Sequence, residues 1–212
     1  MKRAICLFSG GKDSVFATWW ALFQGFDINL LTFQSEEYSM MFHHPNISWT
    51  KMQAMAAGLP HFVIRTTKET ELNDLEQGIS ELGADVIITG AIASEYQKQR
   101  IEQIGEKLGI ATHSPLWHKE KILLNEMLKY FEIYTVAVSA EGLGKKFLTK
   151  PFAELVKHLP KNIHPFLEGG EGETFVTNAP FFKQRIIIDE WDIIWDGVRG
   201  TAEIKRAHLV HV

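Results

Sequence analysis

Through residues 3–109, short apolar runs alternate with helix-like segments, and a glycine stops each helix-like segment. Residues 3–8 are an apolar run without helical period that breaks into Gly10-Gly11, the pattern of a buried parallel strand entering a loop. Residues 14–24 are apolar nearly all round and stop at Gly25. A strand over Ile28 to Phe33 follows. Next come a helix over Trp49 to Ala57, a strand at Phe62 to Ile64 and an amphipathic helix over Glu69 to Leu82. A strand over Asp85 to Thr89 and a polar-faced helix over Ser94 to Leu108 complete the series. Five or six such β-α units predict an α/β fold: a parallel sheet with helices on both faces. Ligands of such sheets sit outside the carboxyl ends of the strands. That directs attention to the loops after Phe8, Phe33 and Gly90.

The second half has another rhythm. Leu123 to Phe131 and Phe152 to Leu159 are helix-like, whereas Ile133 to Val138, Thr174 to Thr177, Arg185 to Trp195 and Ala202 to Val210 are β-rich. Asp196-Gly197-Val198-Arg199-Gly200 suits a hairpin turn between the last two runs. These segments predict a smaller α+β unit with an antiparallel sheet. A soft boundary near Leu116 to Lys119 divides the chain into residues 1–118 and 119–212. No Gly-, Ser- or Pro-rich linker separates them, so the halves are expected to pack closely.

Composition excludes several classes. A formal net charge of −4 argues against a protein whose main ligand is nucleic acid. A single cysteine, Cys6, rules out an internal disulfide and a cysteine-rich zinc site, and its apolar setting makes it a core residue. No apolar stretch approaches the ~20 residues of a membrane span, and Met1-Lys2-Arg3 leads directly into the first strand, so a cytoplasmic protein is expected. Nothing in the sequence decides whether it forms a homo-oligomer.

Ser9-Gly10-Gly11-Lys12-Asp13-Ser14, between first strand and first helix, is a recipe for an anion site. Gly10 and Gly11 let backbone N–H groups approach phosphate oxygens. The helix start adds free N–H donors and the positive end of its dipole. Lys12 adds a full charge, serving charge rather than packing, and Ser9 and Ser14 add hydroxyls. Asp13 would repel a bare triphosphate, which points to Mg2+ nearby. The spacing is neither that of a Walker A loop nor that of a dinucleotide fingerprint.

Glu168, Glu171 and Glu173 stand among Gly169, Gly170 and Gly172 between apolar runs. Such a loop is either a solvated turn or a site for a cation: ammonium, a quaternary ammonium group or magnesium. Tyr38, Phe42, Trp117 or Phe175 could offer a quaternary ammonium an aromatic face. Tyr96, Gln97 and Arg100 share one face of a helix, either a polar surface or a wall of the cleft beside Gly90. His43 and His44 have no partner at metal-ligand spacing.

Ser9 to Ser14 resembles the PP-loop of the N-type ATP pyrophosphatases, which implies ATP cleaved between its α and β phosphates. Tyr38 to Asn46, Gly90 to Arg100, Pro115-Leu116-Trp117 and Glu168 to Phe175 extend the likeness over most of the chain. Together with the loop they resemble the diphthine–ammonia ligase family in its short form. The resemblance implies adenylation of the carboxylate of diphthine on translation elongation factor 2, then displacement of AMP by ammonia. It implies Lys12, Asp13, Glu171 and Glu173 in the chemistry, with Phe33, Gly90 and Ser9 to Ser14 at the nucleotide. It puts His43, Tyr96, Gln97, Arg100, Glu168, Gly169, Gly170, Glu171, Glu173 and Thr174 at the substrate. Two positions depart from the family pattern: Ala91 stands where Asp is frequent, and Gly172, where Tyr is frequent, is expected to loosen the acidic loop. No glutaminase unit fits beside the two halves, so the nitrogen is expected as free ammonium or from a separate protein. The other readings are a PP-loop tRNA-modifying enzyme, whose thiolating forms use cysteines, and a non-catalytic ATP-binding regulator.

Overall fold

The computed structural model describes residues 1–35, 45–67, 69–139 and 143–211. The first half lays out β1 (Arg3–Leu7), α1 (Lys12–Phe23), β2 (Asp27–Ser35), α2 (Thr50–Ala57) and β3 (His61–Thr66). α3 (Glu71–Leu82), β4 (Val86–Ile88), α4 (Glu95–Leu108) and β5 (Ala111–His113) follow. The five strands form one parallel sheet in the order β3-β2-β1-β4-β5. β5 is a three-residue strand with no buried residue, which is why its sequence carries no apolar run.

Strand residues alternate between two apolar layers. Ala4, Cys6, Ile28, Leu30, Val86 and Ile88 face one layer with Val15, Ala17 and Ala54 of α1 and α2. Ile5, Leu31, Phe33 and Ile87 face the other with Leu75, Ile79, Ile101 and Ile104 of α3 and α4. Both sheet faces are covered, so the strands read as nearly unbroken hydrophobic runs.

The second half contributes α5 (Glu120–Tyr130), β6 (Glu132–Val138), α6 (Phe152–Lys157), β7 (Gly172–Asn178), β8 (Gln184–Trp195) and β9 (Gly200–His211). Its sheet is antiparallel, in the order β7-β6-β9-β8. The β8–β9 hairpin closes through Asp196, whose Oδ1 accepts the N–H groups of Val198 (2.8 Å) and Arg199 (2.7 Å).

The two sheets share one core. The layer that holds Ala4 and Cys6 also holds Ile133, Val136, Phe175, Val176 and Ala202. Polar bonds cross the same seam. Asn46 donates to the Ala202 carbonyl (2.9 Å) and accepts from the Ile204 N–H (2.7 Å), and the Trp49 indole N–H reaches the Ile204 carbonyl (3.0 Å). Among the described residues no helix is long and apolar enough to cross a membrane.

Candidate active site

The strand order reverses between β1 and β4. A cleft of about 470 Å³ opens there, at the carboxyl ends of both strands, where α/β sheets hold ligands. Ser9, Lys12, Asp13 and Ser14 wall it on one side, Phe33, Gly90 and Gln97 on another, and Glu168, Gly170 and Glu173 on a third. The glycine loop and two of the three loop glutamates therefore share one space, although more than 150 residues separate them in the chain.

Lys12 opens α1 and is 3% exposed. Its ammonium donates to Asp13 Oδ2 and to the Phe166 carbonyl, both at 2.7 Å, and lies 5.6 and 5.1 Å from the ring centres of Phe152 and Phe166. The expectation that Lys12 serves charge and not packing is thus corrected: the side chain is buried, with its ammonium against two aromatic rings of α6 and the loop that follows it. Asp13 faces the Lys12 ammonium, so its carboxylate is balanced within the protein.

The hydroxyls of Ser9 and Ser14 lie 3.2 Å apart, and Ser14 Oγ also accepts the Ser9 N–H. Gly10 has φ 81°, the left-handed region in which a side chain would be strained, and this turn brings Gly11 and Lys12 round to the helix start. Gly11, at the N-cap of α1, has no side chain to cap the helix, and the first-turn N–H of Lys12 is taken by Thr174 (3.1 Å).

The acidic loop divides by role. Glu168 is half-buried, and its carboxyl is pushed up to about 7, first by burial and next by repulsion from Asp13. Lys12 and the Ala93 N–H pull it back down, and Glu173 adds repulsion. Glu171 does not line the cleft. Its carboxylate accepts the N–H of Gly169 (2.7 Å) and of His164 (3.2 Å), bracing the turn. Ser139 adds to the brace through its N–H to the Glu171 carbonyl (2.8 Å) and its hydroxyl to the Gly170 carbonyl. Thr174 is buried, and its hydroxyl accepts the Lys12 N–H (3.1 Å), so it joins loop to strand instead of lining the cleft. Gly172 does not loosen the loop. It pairs with Val138 at the start of β7, where a Cβ would lie 2.5 Å from the Ala137 carbonyl, so only glycine fits.

The trio on α4 separates as well. Gln97 lines the cleft, whereas the Arg100 guanidinium stacks 3.2 Å from the ring centre of Tyr96, which is exposed. Phe175 is fully buried and offers no open aromatic face, and the half-buried Trp117 ring already holds the Lys98 ammonium 5.1 Å from its centre. Tyr38, Phe42, His43 and His44 lie outside the described residues. Cys6 is buried with its thiol pushed up to about 12 by desolvation, a core residue and not a nucleophile. Among the described residues no group of three or more His, Cys, Asp or Glu side chains could hold a metal ion by itself.

Sequence reasoning missed Phe166, Ser94, Thr89 and Gln53. Phe166 stands two residues before Glu168, outside the acidic motif. Ser94 caps α4 by accepting the Gln97 N–H (3.4 Å). Gln53 had a legible signal: it is a polar residue on the buried stripe Thr50, Gln53, Ala54 and Ala57 of α2.

Known proteins match this arrangement along nearly the whole chain. The model of the family described as the diphthamide synthase N-terminal domain matches residues 1–112, and that of the diphthamide synthase C-terminal domain matches residues 118–210. A zebrafish (Danio rerio) protein named diphthine–ammonia ligase is 30% identical over 91% of this chain and 88% of its own length. The protein of that name from Schizosaccharomyces pombe is 29% identical over 91% of this chain, which spans only 37% of the yeast protein. A solved structure described as a predicted subunit of tRNA methyltransferase from Methanocaldococcus jannaschii shares the fold, with a TM-score of 0.50 at 17% identity over 85% of this chain and 98% of that one. With both halves matched in order by its domain models, the chain belongs to the diphthamide synthase family.

Proposed function

We propose that this chain is an ATP-dependent carboxylate–ammonia ligase that amidates diphthine on translation elongation factor 2, through an acyl-adenylate, releasing AMP and pyrophosphate. The observation that carries the reading is the single cleft shared by an anion-binding loop and an acidic loop. Relatives named diphthine–ammonia ligase support diphthine as the acceptor.

The substrate carboxylate attacks the α phosphorus, and negative charge grows on the phosphoryl oxygens and the departing pyrophosphate. The positive end of the α1 dipole, the Ser9 and Ser14 hydroxyls and the Lys12 ammonium oppose that charge from fixed positions, the condition under which such contacts lower a barrier most. The Asp13 carboxylate on the cleft wall would suit Mg2+ arriving on the nucleotide phosphates, since this ion takes one or two protein carboxylates plus phosphate oxygens. When bound, it neutralises the leaving pyrophosphate.

In the second half-reaction ammonium enters the cleft and must lose a proton before it can attack the acyl carbon. Glu168, titrating near 7, is suited to take that proton at neutral pH. Glu173 adds a carboxylate on the same wall that favours the incoming cation. AMP then leaves with one oxygen of the original carboxylate.

The test is incubation with ATP, magnesium, ammonium and diphthine-bearing elongation factor 2, with mass spectrometry of the factor and chromatography of the nucleotides. Amide together with AMP supports the reading. ADP as the nucleotide product, or AMP with no change in the factor, refutes it.

A further inference from the structure

β7 is an edge strand of the second sheet, and its open side faces the phosphate loop. The Val176 N–H donates to the Gly10 carbonyl (3.2 Å), so the loop peptide extends the sheet by one backbone bond. Gln53 of α2 completes the junction. Its amide nitrogen donates to the Gly10 carbonyl (2.9 Å) and to the Val176 carbonyl (2.8 Å). The side chain is fully buried, and its Oε1 has no hydrogen-bond partner. Both acceptors are carbonyl oxygens, so only the NH2 end of the amide can face them. A buried glutamine that leaves one polar atom unpaired costs stability, and core hydrophobes of the same length were available to this position.

A trans peptide points its C=O and the next N–H in opposite directions. Two donors on the Gly10 carbonyl hold it towards β7 and α2. The Gly11 N–H is thereby turned the other way, towards Ser9 Oγ on the cleft side (3.5 Å). Without the second donor, the flexible Gly10-Gly11 peptide can rotate and take this N–H out of the anion site.

We infer that Gln53 is a positioning residue of the phosphate loop: by clamping the Gly10 carbonyl to β7, it aims the Gly11 N–H at the β and γ phosphates of the nucleotide. The inference rests on the proposed reading of Ser9 to Ser14 as the triphosphate-binding loop. The same clamp joins that loop to the strand that carries Glu173, so the anion site and the acidic wall are set by one junction.

Calorimetry with three ligands tests it: pyrophosphate, ATP and AMP, on the full chain with magnesium, for wild type, Gln53→Met and Gln53→Asn. Met keeps the length and removes both donors, whereas Asn keeps the amide but cannot reach both carbonyls. Pyrophosphate and ATP affinity should fall about tenfold or more in Gln53→Met, the worth of one well-aimed bond to a charged group, and by less in Gln53→Asn. AMP affinity should change less than about twofold. Thermal melts identify folded samples, and if Gln53→Met does not fold, the Asn variant decides by the same contrast. Equal losses for all three ligands would mean a purely structural glutamine and overturn the inference, as would unchanged pyrophosphate affinity in a folded variant. Failure of the wild type to bind pyrophosphate overturns the inference together with the phosphate-loop reading, which separates the two failures.

Discussion

At Lys12 a single ammonium answers two demands. It balances Asp13 and occupies the Phe166 carbonyl, and it also gives the cleft its one cation among the described lining residues. Lys12→Met keeps an unbranched side chain beside Phe152 and Phe166 but removes the ammonium that donates to the Phe166 carbonyl and faces Asp13. Besides abolishing AMP formation, it should therefore destabilise the protein by about 1–3 kcal/mol, read by denaturant unfolding. A melting curve equal to wild type would show that the ammonium is held less firmly than these contacts imply. Glu168 makes the opposite test. Its carboxyl titrates higher in the folded protein than in the unfolded chain, so the folded state binds more protons in the window from about 4.5 to about 7. Stability from this group is present below that window and is lost as pH rises through it. Glu168→Gln removes the loss, so it should raise the melting temperature relative to wild type more at pH 8 than at pH 5. It should also slow amide formation. A melting shift independent of pH would remove Glu168 from the buried acidic cluster.

Among the elements, the loop between α6 and β7 shows how a motif can divide its labour. Glu171 accepts two backbone N–H groups and keeps the turn closed, while Glu168 and Glu173 face the cleft. Glu171→Gln should expose the Gly169 and His164 amides to faster hydrogen exchange while ATP affinity stays unchanged. Unaltered exchange there would mean that the brace contributes nothing. The sequence made the loop visible but not this division, because three glutamates among glycines look alike until a fold gives one of them N–H partners. Tyr96, Gln97 and Arg100 show the same limit. Helical spacing puts them on one face, yet it says nothing about the cation–aromatic stack that turns Arg100 onto Tyr96. Strands were more legible than site residues, since β1, β2 and β4 are buried on both faces and need unbroken apolar runs. β5, short and half-exposed, left no such trace.

Across the whole molecule, the first sheet ends with β5 at His113 and the second begins with β6 at Glu132, yet one core runs through both. Ala4 and Cys6 pack in the same cluster as Phe175 and Ala202, and Asn46 and Trp49 bond to β9. Pairings of this kind join residues more than 150 positions apart, which periodicity cannot show. Urea unfolding followed by tryptophan fluorescence and by far-ultraviolet circular dichroism should give one coincident transition. Two separated transitions would mean that the halves are independent folding units. The shared core also holds the phosphate loop against β7, and this is what brings nucleotide and acidic wall into one cleft. The central claim, that a carboxylate is activated on the α phosphate in that cleft, is tested most directly by an oxygen label. Elongation factor 2 whose diphthine carboxylate carries 18O is incubated with the protein, ATP, magnesium and ammonium, and the nucleotide is analysed by mass spectrometry. The expected result is one labelled oxygen in AMP for every amide formed; unlabelled AMP, or label in inorganic phosphate, would contradict the acyl-adenylate and with it the account of the site.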